Sequence, residues 1–259
     1  MKNKLLEPLV SILIANYNNK IYLKRCLNSC FNQKYKNLEI IIFDDCSLDG
    51  SQKELKKFKN IKIILNKKKT KIAYIDAMNA YIKMFKISKG DFVFLLDSDD
   101  TFFKKKIHTI LNLYLKNINL NFIQESPKNA SCKKNNFFLS RWPYFASTSR
   151  LSFRRKFFEE FLSVKKNTSA DFKEVWLDFR LCAYAFFKKK SFLSHSQYLT
   201  RYYTDLIGNQ SKRYEKFSLT WFSRRYFSHL YLNCLMNNQK FNINLDFFLT
   251  KIIYKIITK

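Results

Sequence analysis

Phe92-Val93-Phe94-Leu95-Leu96-Asp97-Ser98-Asp99-Asp100 is an apolar run that ends in three carboxylates within four residues. The run is too short for an ordinary helix and follows Gly90, so it reads as a buried β-strand. In an open α/β sheet, the C-terminal ends of the strands form the rim where ligands bind. Carboxylates crowded at such a rim repel one another, and a divalent cation between them relieves that repulsion. Oxygen-only ligands favour Mg2+ or Mn2+, commonly shared with a substrate phosphate.

Around this stretch, strand and helix patterns alternate over the first ~125 residues, as in a mainly parallel sheet. Strands are predicted at 9–15, 38–43, 61–65 and 91–96. A helix is expected where Tyr22, Leu23, Cys26, Leu27, Cys30 and Phe31 share one face. Another is expected over 72–87, with Ile75, Met78, Ile82 and Phe85 inward, and a third after Thr101, with Ile107, Ile110, Leu111 and Tyr114 inward. A short helix is expected between Gly50 and Phe58. Beyond about residue 126 the alternation fades, and the pattern suggests helices at 154–163, 172–187 and 215–236. This divides the chain into a ligand-binding core over 1–125, a second half over 126–214, and C-terminal helices over 215–259. In the last segment, Phe248, Leu249, Ile252, Ile253, Ile256 and Ile257 oppose Lys251, Lys255 and Lys259. Such a helix either docks on the core or lies on anionic lipid.

Composition narrows the class. The 259 residues suffice for a sizeable core, and 47% hydrophobic content argues against disorder. Among the 48 Lys+Arg and 20 Asp+Glu, the formal charge is +28, which favours anionic partners such as nucleic acid or a membrane surface. The richness in Lys, Asn, Ile and Phe and the scarcity of Gly also point to a compositional bias of the source, so charge alone does not name the partner. No apolar stretch is long enough to span a bilayer. Glu7 and Pro8 interrupt the apolar start, so no cleaved leader is expected. The six cysteines, at 26, 30, 46, 132, 182 and 234, match no zinc spacing and are expected to be free thiols in a reducing cytoplasm.

The chain is poor in acid, yet its acids cluster. Asp44, Asp45 and Asp49 follow the second strand, and Asp97, Asp99 and Asp100 follow the later one. Helix capping explains one Asp in each group but not both groups, which favours one ligand site on a shared sheet edge. A carboxylate after the second strand can accept hydrogen bonds from a base or ribose, and the Asp97/Asp99 pair can hold a cation against a pyrophosphate. The absence of a Gly-rich phosphate loop and of a Gly-x-Gly-x-x-Gly turn argues against a P-loop NTPase or a dinucleotide dehydrogenase. A metal-dependent nucleotidyltransferase is disfavoured because Ala15-Asn16-Tyr17-Asn18-Asn19 supplies no Gly-rich loop.

Three blocks, Pro8 to Asn18, Ile42 to Ser51, and Gly90 to Asp100, resemble in order and spacing the family 2 glycosyltransferases. The resemblance covers about the first 115 residues well and the rest loosely. It implies an α/β GT-A fold, a Rossmann-like mainly parallel sheet flanked by helices, with a mainly helical C-terminal extension. It also implies a hexosyltransferase of bacterial surface-glycan type that inverts the anomeric carbon, a nucleotide-sugar donor (a UDP-sugar), and Mn2+ or Mg2+. Carried over by position, Ala15, Asn16 and Tyr17 meet the uracil. Asp44 and Asp45 match the family's paired Asp, with Asp45 favoured on the base. Asp97-Ser98-Asp99 matches the Asp-x-Asp motif, with Asp99 on the metal and Asp97 on the ribose or a water of the cation. Ala15 stands for the usual Pro, Asn16 for Thr and Cys46 for a common Gly, and the Lys-rich stretch 66–71 lacks Gly, with Lys71 as its basic contact.

Inverting transfer needs a carboxylate that takes the acceptor's proton. The family places it in the second half, often as Glu-Asp before a helix, and Val175-Trp176-Leu177-Asp178-Phe179 is the corresponding stretch, with Leu177 in place of Glu. Asp178 is therefore the expected base, with Asp171 and Glu174 as alternatives. The aromatic neighbours Trp176 and Phe179 suit a raised pKa and stacking of an acceptor sugar. His108, His195 and His229 show no ligand spacing and read as structural, and Trp142-Pro143-Tyr144 reads as packing beneath a loop. The implied acceptor is a cell-surface glycan or lipid-linked oligosaccharide, met by a cytoplasmic enzyme at the inner face of the membrane. The rival readings are a basic nucleic-acid-binding protein, which no recognised motif supports, and a non-catalytic member of the same family.

Overall fold

The computed structural model describes residues 7–70, 72–126, 142–189, 191–203, 214–236 and 245–257. Its centre is a seven-stranded sheet with order β3-β2-β1-β4-β7-β6-β8. These strands are β1 (Val10–Asn16), β2 (Leu38–Asp44), β3 (Lys62–Leu65), β4 (Phe92–Asp97), β6 (Phe122–Glu125), β7 (Leu151–Arg154) and β8 (Phe192–His195). The first four run parallel, as the strand-helix alternation predicts. β7 is antiparallel to both β4 and β6, and β8 is parallel to β6. A two-stranded ribbon pairs β5 (Thr101–Phe102) with β9 (Thr200–Arg201).

Period-two alternation sends successive side chains to opposite faces. Leu13, Ile41, Phe43, Val93 and Leu95 join one buried cluster, while Ile12, Ile14, Ile40, Ile42, Phe94 and Leu96 join the other. Helices α1 (Lys20–Phe31), α2 (Ser51–Leu55) and α4 (Lys106–Lys116) cover the second cluster. Helices α3 (Ala73–Ile87), α5 (Arg155–Ser163), α6 (Leu177–Ala183) and α7 (Leu219–Leu235) cover the first. The last helix, α8 (Leu245–Ile257), packs on α7. Gly90 is required where the chain enters β4: a Cβ there would meet Ser11 N and Oγ at 2.5 Å. Its amide donates to Ser11 Oγ at 2.9 Å.

Several elements differ from expectation. β6, β7 and β8 are only four residues each, and β6 and β7 carry buried polar groups, which hides their strand pattern. In β6, Gln124 accepts from Ala146 N at 2.8 Å and donates to Tyr144 O at 2.9 Å, so its amide is satisfied in the interior. The expected Met78 and Phe85 are buried in α3 and Ile75 and Ile82 pack half-buried against the same core, while Tyr74, Tyr81 and Met84 join the buried face, with Tyr81 turned in toward the end of β4. The helix expected over 172–187 starts only at Leu177 and continues as a π-helical turn over Tyr184–Lys189. Glu174, with φ of 58°, stands in a left-handed conformation that blocks an earlier start. The boundary expected near residue 125 falls inside one continuous sheet, since β6 lies between β7 and β8.

Candidate active site

Parallel register fixes the site. Asn16 lies beside Asp44, and Ala15 lies between Phe43 and Asp97, so β1, β2 and β4 deliver their last residues to one edge. Asp44 is fully buried and saturated: Oδ1 accepts from Ser47 N at 3.0 Å and Gln52 Nε2 at 2.9 Å, and Oδ2 from Asn16 Nδ2 at 2.7 Å. These bonds shape the turn after β2 and leave Asp44 little capacity for a ligand. Asp45 differs. Its Oδ1 accepts from Asn66 Nδ2 at 2.7 Å, and its Oδ2 is 3.4 Å from Lys69 Nζ. The same ammonium lies 3.1 Å from the centre of the exposed Tyr17 ring. Tyr17, Asp45, Asn66 and Lys69 are thus linked into one cluster. Lys71 lies outside the described residues.

The end of β4 carries the acidic cluster. Tyr81 Oη donates to Asp97 Oδ1 at 2.8 Å, and Ser149 Oγ accepts from Asp97 N at 2.9 Å. Ser98 is buried, with its amide on Ala15 O at 3.0 Å and its hydroxyl accepting from Asn19 Nδ2 at 3.0 Å. Arg25, on α1, donates to Asp99 O at 2.7 Å and stacks on the Tyr203 ring at 3.9 Å. Asp100 Oδ1 accepts from Tyr203 N, just past β9, at 3.1 Å, while its Oδ2 is buried with no hydrogen-bond partner among the described residues.

Burial pushes all three carboxyls toward the neutral form. For Asp97 the charges of Asp99 and Asp100 add to the effect of burial, and the proton affinity rises well above the usual range. Burial raises Asp99 against the pull of its own amide and Arg25. It raises Asp100 to about 7. Carboxyls held at such cost lower their energy when a cation arrives, and their all-oxygen chemistry fits Mg2+ or Mn2+. Among the described residues no three carboxylate, histidine or cysteine side chains enclose a metal by themselves. The arrangement therefore suits a cation that completes its shell with phosphate oxygens and water.

Asp178 occupies the first turn of α6, with Oδ1 accepting from Phe179 N at 2.7 Å. Burial raises its pKa, and Arg224 on α7 opposes the rise. The charge of Asp178 adds slightly to the raised proton affinity of both Asp97 and Tyr202, so the carboxylate is within electrostatic reach of the acidic cluster. Beside it, Trp176 Nε1 donates to Tyr214 Oη at 2.7 Å, Tyr214 donates to Glu174, and Arg224 packs over the Tyr214 ring at 4.8 Å. The alternative Asp171 is exposed and bonded to Ser169 Oγ at 2.7 Å.

Sequence reasoning missed other residues at this edge. Lys106 is fully buried, with Nζ on Ser149 O at 2.7 Å, Thr200 Oγ1 at 2.6 Å and Glu125 Oε1 at 2.5 Å. This ion pair fixes Ser149 behind Asp97. Lys69, Arg25 and Arg224 sit among 48 Lys+Arg residues, and nothing in their local sequence separates them from solvated cations. Of the histidines, His229 holds Asp246 at 2.8 Å, and Trp142 packs edge-on against its ring at 4.8 Å, so both are structural.

Residues 11–193 match the family described as Glycosyl transferase family 2. The chain is 40% identical over 99 residues to the Escherichia coli UDP-Glc:alpha-D-GlcNAc-diphosphoundecaprenol beta-1,3-glucosyltransferase WfaP, covering 38% of each protein. Across the first curated relatives the matched segments span 44%, 38% and 43% of those proteins' lengths, less than half of each. Staphylococcus aureus TarS 1–349, solved with UDP-GlcNAc, is similar in fold, with TM-score 0.63 at 14% identity over 96% of this chain and 71% of that one. The Pyrobaculum calidifontis mannosyltransferase PcManGT, solved with GDP-Man and Mn2+, gives 0.59 at 10% identity over 98% and 76%. Both likenesses bear on the fold, which is of GT-A type.

Proposed function

The chain belongs to glycosyl transferase family 2, and from that premise we propose that it moves a hexosyl group from a nucleotide-sugar, a UDP-sugar, to a hydroxyl of a cell-surface glycan or lipid-linked oligosaccharide, with inversion. The observation that carries this reading is the convergence of the β1, β2 and β4 ends, with the Asp45 and Asp97–Asp99 carboxylates, on one sheet edge, with Asp178 within electrostatic reach of Asp97. The UDP-Glc-dependent WfaP and the TarS and PcManGT complexes with UDP-GlcNAc and GDP-Man support the substrate class.

In this reading Tyr17 stacks the base and Asp45 accepts its N–H, while Ala15 and Asn16 form the strand edge beneath. Asp44 holds that edge in shape, and Lys71 supplies a basic contact near the phosphates. Asp97 and Ser98 bound the ribose and diphosphate, and Asp99, with Asp97, would hold Mn2+ or Mg2+. When bound, that cation offsets charge on the departing diphosphate. Asp178 orients the acceptor hydroxyl with the carboxylate oxygen that does not take the Phe179 amide. As the acceptor oxygen bonds to the anomeric carbon, the bond to the diphosphate oxygen breaks, and the hydroxyl proton passes to Asp178. Residues 1–125 would serve the donor, 126–214 the acceptor and base, and 215–259 the site of work, the cytoplasmic face of the membrane where a lipid-linked acceptor lies.

The test is donor turnover across a panel of nucleotide-sugars, with and without Mn2+. Asp99→Ala should abolish metal-stimulated turnover, and Asp178→Asn should lower transfer by about 10²–10⁴-fold with UDP binding retained. Metal-independent turnover unaffected by Asp99→Ala overturns the metal assignment, and full transfer by Asp178→Asn rejects the base.

A further inference from the structure

Helix α8 is docked by its polar side. Asp246 is buried and takes Arg225 Nε at 2.6 Å and His229 Nε2 at 2.8 Å. Thr250 is buried with its hydroxyl on Asp246 O at 2.8 Å. Phe247 and Tyr254 flank this anchor and pack on Tyr226 with ring centres 6.0 and 4.9 Å away. The other side of the helix faces solvent: Leu245 is 58% exposed, Phe248 49%, Leu249 41%, Ile252 53% and Ile256 69%. Their spacing places them on one stripe of a helix. A docked surface helix ordinarily does the reverse and buries its apolar stripe. Contiguous exposed apolar side chains of this kind mark an interaction surface.

We propose that this stripe is the protein's lipid-contacting element, with α8 lying in the plane of an anionic bilayer surface and Phe248, Leu249, Ile252 and Ile256 among the acyl chains. Charge argues for lipid. The chain carries +28, Lys255 is exposed beside the stripe, and Lys251 lies half-buried against Phe247 with Nζ 5.8 Å from its ring centre. Two copies of so cationic a chain repel one another, whereas an anionic headgroup layer attracts both lysines. The helix has 13 residues, and among the described residues no helix is long and apolar enough to cross a membrane. A short amphipathic helix with an exposed apolar stripe suits an in-plane position. The inference deepens the reading of a lipid-linked acceptor, on which it rests for the choice of partner.

The test is co-sedimentation of the full chain with phosphatidylglycerol/phosphatidylcholine vesicles and with phosphatidylcholine alone. Wild type should partition onto the anionic vesicles. The variant Phe248→Ser/Ile252→Ser/Ile256→Ser should bind them at least about tenfold more weakly, while its thermal unfolding and its turnover of donor with a water-soluble acceptor stay unchanged. Lys251→Gln/Lys255→Gln should weaken binding to anionic vesicles only. Absence of wild-type binding overturns the proposal, as does equal binding by the triple serine variant, which would leave only general charge attraction. A wild-type dimer that the triple variant converts to monomer also overturns it by making the stripe a self-interface. Donor turnover is read separately, so failure of the lipid contact and failure of the transferase reading are told apart.

Discussion

Asp178 and Arg224 set the pH range in which the proposed base can act. Burial raises the Asp178 pKa and Arg224 holds it down, so removing the guanidinium lets it rise further. Activity that needs the carboxylate is lost as pH falls through that pKa. Arg224→Gln should therefore move the acidic limb of the kcat/KM profile to higher pH; an unmoved limb would separate Arg224 from the base. Lys106 tests a different role. Lys106→Met leaves Glu125 buried without its ion-pair partner, and should cost about 3–5 kcal/mol of stability in urea unfolding, with Lys106→Met/Glu125→Gln recovering much of it. At this scale the sequence displays its acids better than its bases. Asp97, Asp99 and the Asp44-Asp45 pair stand out in a chain with few carboxylates. The local sequence does not rank the members of Asp44-Asp45, because the three hydrogen bonds that saturate Asp44 come from Asn16, Ser47 and Gln52.

Among the elements, α8 depends on one carboxylate. Partners His229 and Arg225 hold Asp246 below the usual range despite its burial. A carboxyl depressed in the folded state stabilises it at pH above the ordinary Asp value and loses that contribution as pH falls through the folded-state value. Asp246→Asn should therefore destabilise the protein by about 1–3 kcal/mol at pH 7, and the gap from wild type should close on acidification below about pH 4; a gap constant across that range would assign the loss to packing. The amphipathic period of α8 is plain in the sequence, yet its orientation is not, because Asp246 finds its partners on α7, 17 and 21 residues earlier. β6, β7 and β8 are illegible for a related reason. The buried polar groups of β6 and β7 are satisfied by residues distant in sequence, as Tyr114 Oη does for Ser152 O at 2.7 Å.

For the molecule as a whole, the sheet joins what the sequence divides. β7 pairs with β4 through Phe92–Arg154, Val93–Phe153 and Phe94–Ser152, and β6 pairs with β8 on its far side. The parallel half was legible because each of its strands is an apolar run closed by a turn. The antiparallel insertion was not, because its pairing is set by contacts across some sixty residues of chain. Residues 9–125 made alone would keep β4 but lose β7, and should fail to give a cooperative transition, while the full chain should unfold in a single calorimetric endotherm. Two separate endotherms would make the parallel half an autonomous unit.

That interleaving bears on how the chain is made. On the ribosome β4 emerges some sixty residues before β7, its neighbour in the finished sheet. At about 5–20 residues per second, its edge waits roughly 3–12 s with backbone donors and acceptors unpaired. Phe92 to Leu96 is apolar, uncharged and free of proline, the composition that self-associates when an edge is left open. Newly synthesised protein is therefore most vulnerable in that interval, and slowing translation between residues 97 and 151 should lower the soluble yield more than slowing it after residue 200.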